Sequence, residues 1–585
     1  MERFDTVIKN GTIFDGARSP RFVGDIGIRD GVITAIGKIN SSDAGKVIDA
    51  SGLHVAPGFI DLHTHYDAQL FWDPYLTTSS LHGVTSVAIG NCGFGFAPVK
   101  PEMRERAMLT MERVEAIPLS CMKEAMLPQW QWETFPEWLD QIERQPKGVN
   151  ILNFVPIGPL MIYVMGLEAS KTREPTGDEM AEMCRLLELS LDAGGCGWTV
   201  QRLGTGYASV QRDYDGTPMA TDVMSDDTCF AFAEVLRRRG EGFIQITQAT
   251  VDFKGEGYLN DMIFGEKLAQ ASGRPILWNA VLVNDAYPDQ HRTTLNWGAA
   301  MQAKGLPIWL QGVTTANDMR FTFEEFALLD GDATWREVML GKAEDRAAKM
   351  NRPEYRAALR QHYDNVGQSI ATGPFSGMII EKTAKPENSK FEGMTLAEFG
   401  KMRNAHPIDA LLDLVISENL KTLIYVPVFN KKPEFVKELV SSPYTIPGVS
   451  DGGAHTKFLN YGRYPTEYLC DEVRDKGFVS FEEAHYRLSA MPAACAGFTD
   501  RGTLAVGAPA DIVIYDLAAL KVLPSEVVHD LPGNEWRRME GAQGYRHIMV
   551  NGAETFRDGV CTGETPGKLL RHGYAGGRSR LMAAQ

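Results

Sequence analysis

Positive charge is scarce in this chain of 585 residues. Against 75 Asp and Glu stand 59 Lys and Arg, a formal balance of −16, and the basic residues form no block. Binding to a phosphate backbone needs a basic surface, so a nucleic-acid partner is excluded. Long apolar runs are missing too. Gly and Pro interrupt the most apolar stretch, Ile151 to Leu167, and Glu2, Arg3 and Asp5 carry charge where a signal peptide would place its apolar core. The expectation is neither a membrane span nor secretion. Cysteines are few, eight in all, and none is paired at short spacing. That pattern reads as a reduced, cytoplasmic protein with buried thiols rather than a disulfide scaffold. Cys184 is one such thiol. Thr176 to Glu179 spells a capping box, and Met180, Cys184, Leu187 and Leu191 follow at helical spacing, which turns Cys184 to the core. No low-complexity tract and no internal repeat occurs. What remains, 44% hydrophobic and 23% charged, is ordinary globular composition with a small molecule as the expected partner; self-association is left open.

The two ends of the chain look alike. Val7–Ile13 and Ile26–Ile33 alternate around Asn10-Gly11 and Asp30-Gly31, and Ala510–Tyr515 and Ile548–Gly552 do the same near the other end. Asn-Gly and Asp-Gly between alternating residues signal hairpins, so a small β-sandwich domain is expected from residues 1–54 and 500–575 together. Between them, short apolar runs alternate with helical patterns, the signature of a parallel sheet with crossover helices. The candidate strands are Val55–Leu62, Val84–Gly90, Val149–Pro156, Gly197–Arg202, Gly242–Thr247, Pro275–Ala280, Leu306–Gly312 and Thr445–Ser450. Eight such strands over 55–499 predict an α/β fold of the (β/α)₈ barrel type. Thr422–Val426 competes for a place in that count. The long gap before the last strand, charged and helix-like, predicts a helical insertion at about 320–400.

His63 and His65 end the first barrel strand in Gly58-Phe59-Ile60-Asp61-Leu62-His63-Thr64-His65. Two residues apart on a strand, they share one face, and the carboxyl ends of barrel strands form the active-site mouth. Both imidazoles can therefore meet one metal ion. Cys92 follows the second strand between glycines, and a thiolate is a good zinc ligand, although a lone buried cysteine is common. Asp451 ends the last strand, where a carboxylate can ligate a metal and accept a proton from water; by itself, Asp451-Gly452 is equally a turn.

With these residues in place the chain resembles the amidohydrolase superfamily, and within it the D-aminoacylase (N-acyl-D-amino-acid deacylase) branch. The resemblance rests on Gly58–His65, on Gly90-Asn91-Cys92-Gly93 with Ala97-Pro98, on Met111–Pro118, on Ser450-Asp451-Gly452 and on Asn551–Arg571. It implies a barrel with a β-sandwich, zinc held by the positions of His63, His65, Cys92 and Asp451, and an aspartate that shuttles protons. It also implies two further metal histidines on the fifth and sixth strands, yet no histidine lies between His82 and His291. Gln245 or Gln248, with Asn279, stands there instead. Neutral amides are poor zinc ligands and good partners for a substrate amide, so one zinc per chain is expected. The basic residues that hold a substrate carboxylate in the branch fall at Val281 and, nearest, at Lys457. Trp278, Phe94, Phe96 and Tyr461 suggest a bulkier, more apolar pocket. The sequence thus points to a zinc-dependent hydrolase of an amide or cyclic amide, with Asp451 catalytic and Gln245, Asn279, Lys457 and Trp278 at the substrate. A lactone or ester hydrolase, or a non-catalytic binding relative, are the alternatives.

Overall fold

Apolar runs bounded by turn residues become eight parallel strands in the computed structural model, which describes residues 4–204, 211–248, 257–285, 288–316, 318–325, 329–330, 332–369, 373–428, 430 and 432–572. They are β1 (Phe59–Asp61), β2 (Val84–Ile89), β3 (Asn150–Asn153), β4 (Gly197–Arg202), β5 (Phe243–Gln248), β6 (Ile276–Val281), β7 (Ile308–Gly312) and β8 (Thr445–Pro447). β1 to β3 pair in order, as do β4 to β8. The ring closes at both seams. Cys196 N–H donates to Asn153 O at 2.9 Å, and His65 N–H donates to Gly452 O at 2.7 Å. This is a (β/α)₈ barrel.

Side chains alternate along each strand. Ile60, Leu62, Phe154, Phe243, Leu277 and Ile446 fill the barrel interior, while Ile244, Ile246, Trp278, Ile308 and Leu310 pack outward on the helices. Thr422–Val426 is no part of the ring: Leu423–Val426 pairs antiparallel with Met319–Phe321 and Ile379–Lys382. Together with helices Ala333–Val338, Ala343–Met350 and Pro353–Asn365, these strands enclose a separate core of Phe321, Trp335, Leu359, Phe375 and Val426. The inserted unit thus carries a sheet as well as helices.

Both ends of the chain enter one nine-stranded sheet, in which Ile512–Tyr515 lies between His54–Pro57 and Tyr545–Val550. The sequence places Val55–Leu62 in one barrel strand, but the structure splits it. His54–Pro57 joins the terminal sheet, and the barrel begins at Phe59, beyond Gly58, where a Cβ would meet Thr85 Oγ1 at 2.2 Å. Asn10-Gly11 is also corrected. It forms a bulge inside the strand Phe4–Ile13 rather than a turn, and Gly11 is required because a Cβ would lie 2.4 Å from Val55 Cγ2. Asp30-Gly31 does turn the chain, between Phe22–Arg29 and Val32–Gly37.

Candidate metal centre

His63 and His65 leave the end of β1 with their rings 5.4 Å apart. The loop after β2 brings the thiol of Cys92 beside them. That loop is pinned: Asn91 Nδ2 donates to Thr64 O at 3.1 Å and to Ala88 O at 2.9 Å, and Cys92 N–H donates to Gln245 Oε1 at 2.8 Å. From β8, Ser450 Oγ donates to His63 O at 2.8 Å, which fixes Asp451 against the same imidazoles. His63 Nε2 then stands 3.3 Å from Cys92 Sγ and 3.2 Å from Asp451 Oδ1, and His65 Nε2 stands 3.8 Å from that oxygen. Ligand atoms of His63, His65 and Cys92 all lie within 4.8 Å of one another. Tetrahedral zinc with bonds of about 2.0–2.3 Å sets its ligands about 3.3–3.7 Å apart, so this nitrogen, sulfur and oxygen set fits the ion.

The surroundings favour a cation. Burial lowers the pKa of His63, and burial with the neighbouring His63 and His455 lowers that of His65 further, so both rings are neutral and able to ligate. Gln311 Oε1 accepts from His63 Nδ1 at 3.2 Å, directing Nε2 to the cluster. Four carboxylates lie close by. Burial raises Asp61 and Asp67 to about 7, and burial with Asp451 and Asp67 holds Glu115 well above the ordinary carboxylate range. Asp451 alone of the set is appreciably open, with 24% of its side chain exposed, which suits a group that meets a substrate.

Sequence reasoning missed Gln311 as well as Glu115 and His455. Glu115 ends helix α1 (Arg104–Glu115), its carboxylate 3.6 Å from His65 Nδ1 and 3.4 Å from His455 Nε2. The helix-terminal carbonyl of Glu115 accepts from His455 N–H at 2.6 Å. A signal for Gln311 was present in the alternation of β7, which places it on the inward face with Trp309.

Of the residues assigned to the substrate, Gln245 and Asn279 reach the mouth. Each donates to Thr247 Oγ1, at 3.1 and 3.0 Å, and Asn279 Oδ1 is buried without a partner among the described residues. Gln248 turns away to Asp261. Trp278 is corrected. One residue from Asn279 on β6, it must face outward, and it packs 5.0 Å from Trp297 among the helices. Lys457 is corrected as well: its ammonium is held by Glu325 at 2.7 Å and Glu535 at 3.2 Å, over the ring of Trp536. Phe96 and Tyr461 are core residues.

Comparison with known proteins places the chain in a family and a fold. The Amidohydrolase family model matches residues 46–560. A protein of Mycobacterium tuberculosis with no assigned activity is 28% identical, covering 99% of this chain and 93% of its own. The N-acyl-D-aspartate deacylase of Alcaligenes xylosoxydans xylosoxydans is 26% identical over 98% of this chain and 96% of its own. Among solved structures, the N-acyl-D-glutamate deacylase of Bordetella bronchiseptica, complexed with zinc and a phosphonate inhibitor, superposes with a TM-score of 0.66. It is 21% identical, covering 98% of this chain and all of the other, and so shares the fold.

Proposed function

Because the chain belongs to the amidohydrolase family, in its D-aminoacylase branch, and is a hydrolase of carbon–nitrogen bonds, we propose that it works with one zinc ion on a neutral amide or cyclic amide. The observation that carries this reading is the approach of Cys92 Sγ and Asp451 Oδ1 to 3.3 and 3.2 Å from His63 Nε2, with His65 Nε2 3.8 Å from that oxygen. His63, His65 and Cys92 would hold the ion, with one oxygen of Asp451 beside it and room left for water. When bound there, zinc supplies Lewis acidity and a water nucleophile at neutral pH.

The remaining chemistry belongs to this chain. Asp451 Oδ, open to the mouth, takes the proton of the attacking water and returns it to the leaving nitrogen. Among the described residues Gln245 and Asn279 each keep one amide N–H beyond the one given to Thr247, and these can hold the substrate carbonyl; Asn279 Oδ1, with no partner among the same residues, can accept from a substrate N–H. The same two side chains argue against a second tightly held metal, because neutral amides ligate zinc weakly. A free substrate carboxylate finds little here. Val281 is a buried aliphatic residue and Lys457 already serves two glutamates, and an unpaired buried carboxylate is costly.

The test is elemental analysis of the purified protein beside turnover of N-acetyl-D-methionine and of its uncharged amide. About one zinc per chain and a higher kcat/KM for the neutral compound are expected. Two tightly held metals, or a strong preference for the free acid, would overturn the one-metal and neutral-substrate parts of the reading respectively.

A further inference from the structure

Beside the metal loop lies an apolar chamber, partly open to solvent, that the reaction described above does not use. Its walls come from the loop after β2, from α1, from helix α2 (Ile157–Met165) and from the single turn Ala220–Asp222. Phe94, Val99, Met103, Ala107, Ile162 and Met219 make it apolar. Protein interiors are packed to crystal density, so an apolar recess left open beside a reactive cluster points to a ligand site rather than to core. Three thioethers in the wall, those of Met103, Met111 and Met219, can reshape around chains of different length.

Three features tie the chamber to the substrate. Gly93 lines it, and the residue before, Cys92, turns its thiol to His63. Gly158 lets α2 close against this loop, since a Cβ there would stand 2.8 Å from Gly93 O. Thr221, also in the wall, is buried with its hydroxyl unpartnered among the described residues. The order of the strands then gives the direction. Asp451 comes from β8 on one side of β1, whereas the chamber lies beyond β2 on the other. A leaving nitrogen must sit next to Asp451 to receive its proton, so the acyl carbon's own chain runs the opposite way.

We propose that this chamber binds an apolar acyl chain, which makes the preferred substrates N-acyl compounds of medium to long chain rather than N-acetyl ones. The inference rests on the hydrolase reading above and extends it. Each methylene that enters the chamber should raise kcat/KM about fourfold until the space is filled.

The test uses the zinc-loaded protein with two series: N-acetyl to N-dodecanoyl amides of one small amine, and N-acetyl amides of increasingly long alkylamines. In the wild type kcat/KM should climb along the first series and stay level along the second. Ile162→Trp should flatten the first series while sparing N-acetyl turnover, and Ile162→Ala, which removes bulk and is the milder change, should move the optimum to a longer acyl chain. Length dependence confined to the amine series, or a first series that both variants leave unchanged, would overturn the proposal. Binding of decanoate by titration calorimetry gives a readout without turnover. If no amide is hydrolysed yet decanoate binds and Ile162→Trp abolishes that binding, the hydrolase reading fails and the chamber stands; if amides are hydrolysed and decanoate binding is absent or indifferent to Ile162, the chamber fails and the hydrolase reading stands.

Discussion

Gln311 on β7 accepts a hydrogen bond from His63 Nδ1 at 3.2 Å and so fixes which nitrogen of the ring faces Cys92 and Asp451. A histidine that ligates through Nε2 must carry its proton on Nδ1, and a buried acceptor there selects that tautomer and orients the ring. Gln311→Leu removes the acceptor at similar volume. Zinc affinity measured by chelator competition should fall roughly 10–100-fold with the fold intact, whereas an unchanged affinity would show that the ring is positioned by packing alone.

His63→Ala is the harsher counterpart. It removes the nitrogen common to the Cys92 and Asp451 contacts, and the remaining ligands should hold little zinc through gel filtration. Retention of about one zinc per chain in this variant would place the metal elsewhere.

The barrel was legible because alternation and apolar runs are local properties: each of the eight strands follows from its own residues, and His63 and His65 follow from the end of the first. What the sequence obscured depended on distant partners. Gly58 breaks a continuous apolar run only because Thr85 lies across it, and Asn10-Gly11 bulges because Val55, from another strand, crowds it. Lys457 reads as a substrate cation until Glu325 and Glu535, remote in sequence, are found on it. Glu115 sits in the motif Met111–Pro118 quoted for the family resemblance, yet no spacing rule links it to His65 and His455. Trp278 is different, since the alternation that places Asn279 inward already excludes it.

Asp451→Asn keeps the size of the side chain and one ligating oxygen while removing the base. Turnover of a neutral amide should fall about 10²–10⁴-fold in kcat with little change in KM. Equal loss in KM and none in kcat would assign Asp451 to binding instead.

Lys457→Ala should change substrate preference little, because the ammonium is spent between Glu325 and Glu535. Its effect should be on stability. Burial alone would lower the pKa of Lys457, but the two glutamates hold it above the ordinary lysine value, so the charged form stabilises the fold at neutral pH and the variant should melt lower. A normal melting temperature with a KM raised only for free acids would return Lys457 to the substrate.

Acid should weaken the terminal sheet through Glu554. This carboxylate, on the strand Ala553–Arg557, takes Lys46 from the N-terminal segment at 2.8 Å together with His547 and Arg557. Burial alone would raise its pKa, but the hydrogen bonds from Arg557, His547 and Lys46 outweigh it and bring the value from 4.5 down to about 2. The folded state therefore binds this proton less readily than the unfolded chain. Its contribution is complete above about 4.5 and declines as pH falls toward about 2. Glu554→Gln should accordingly be less stable than wild type to urea at pH 7, with the gap between the two narrowing steadily from pH 4.5 to pH 3. A gap that stays constant over that window would mean the glutamate acts through shape and hydrogen bonding, with its charge contributing nothing to how the two ends of the chain are held together.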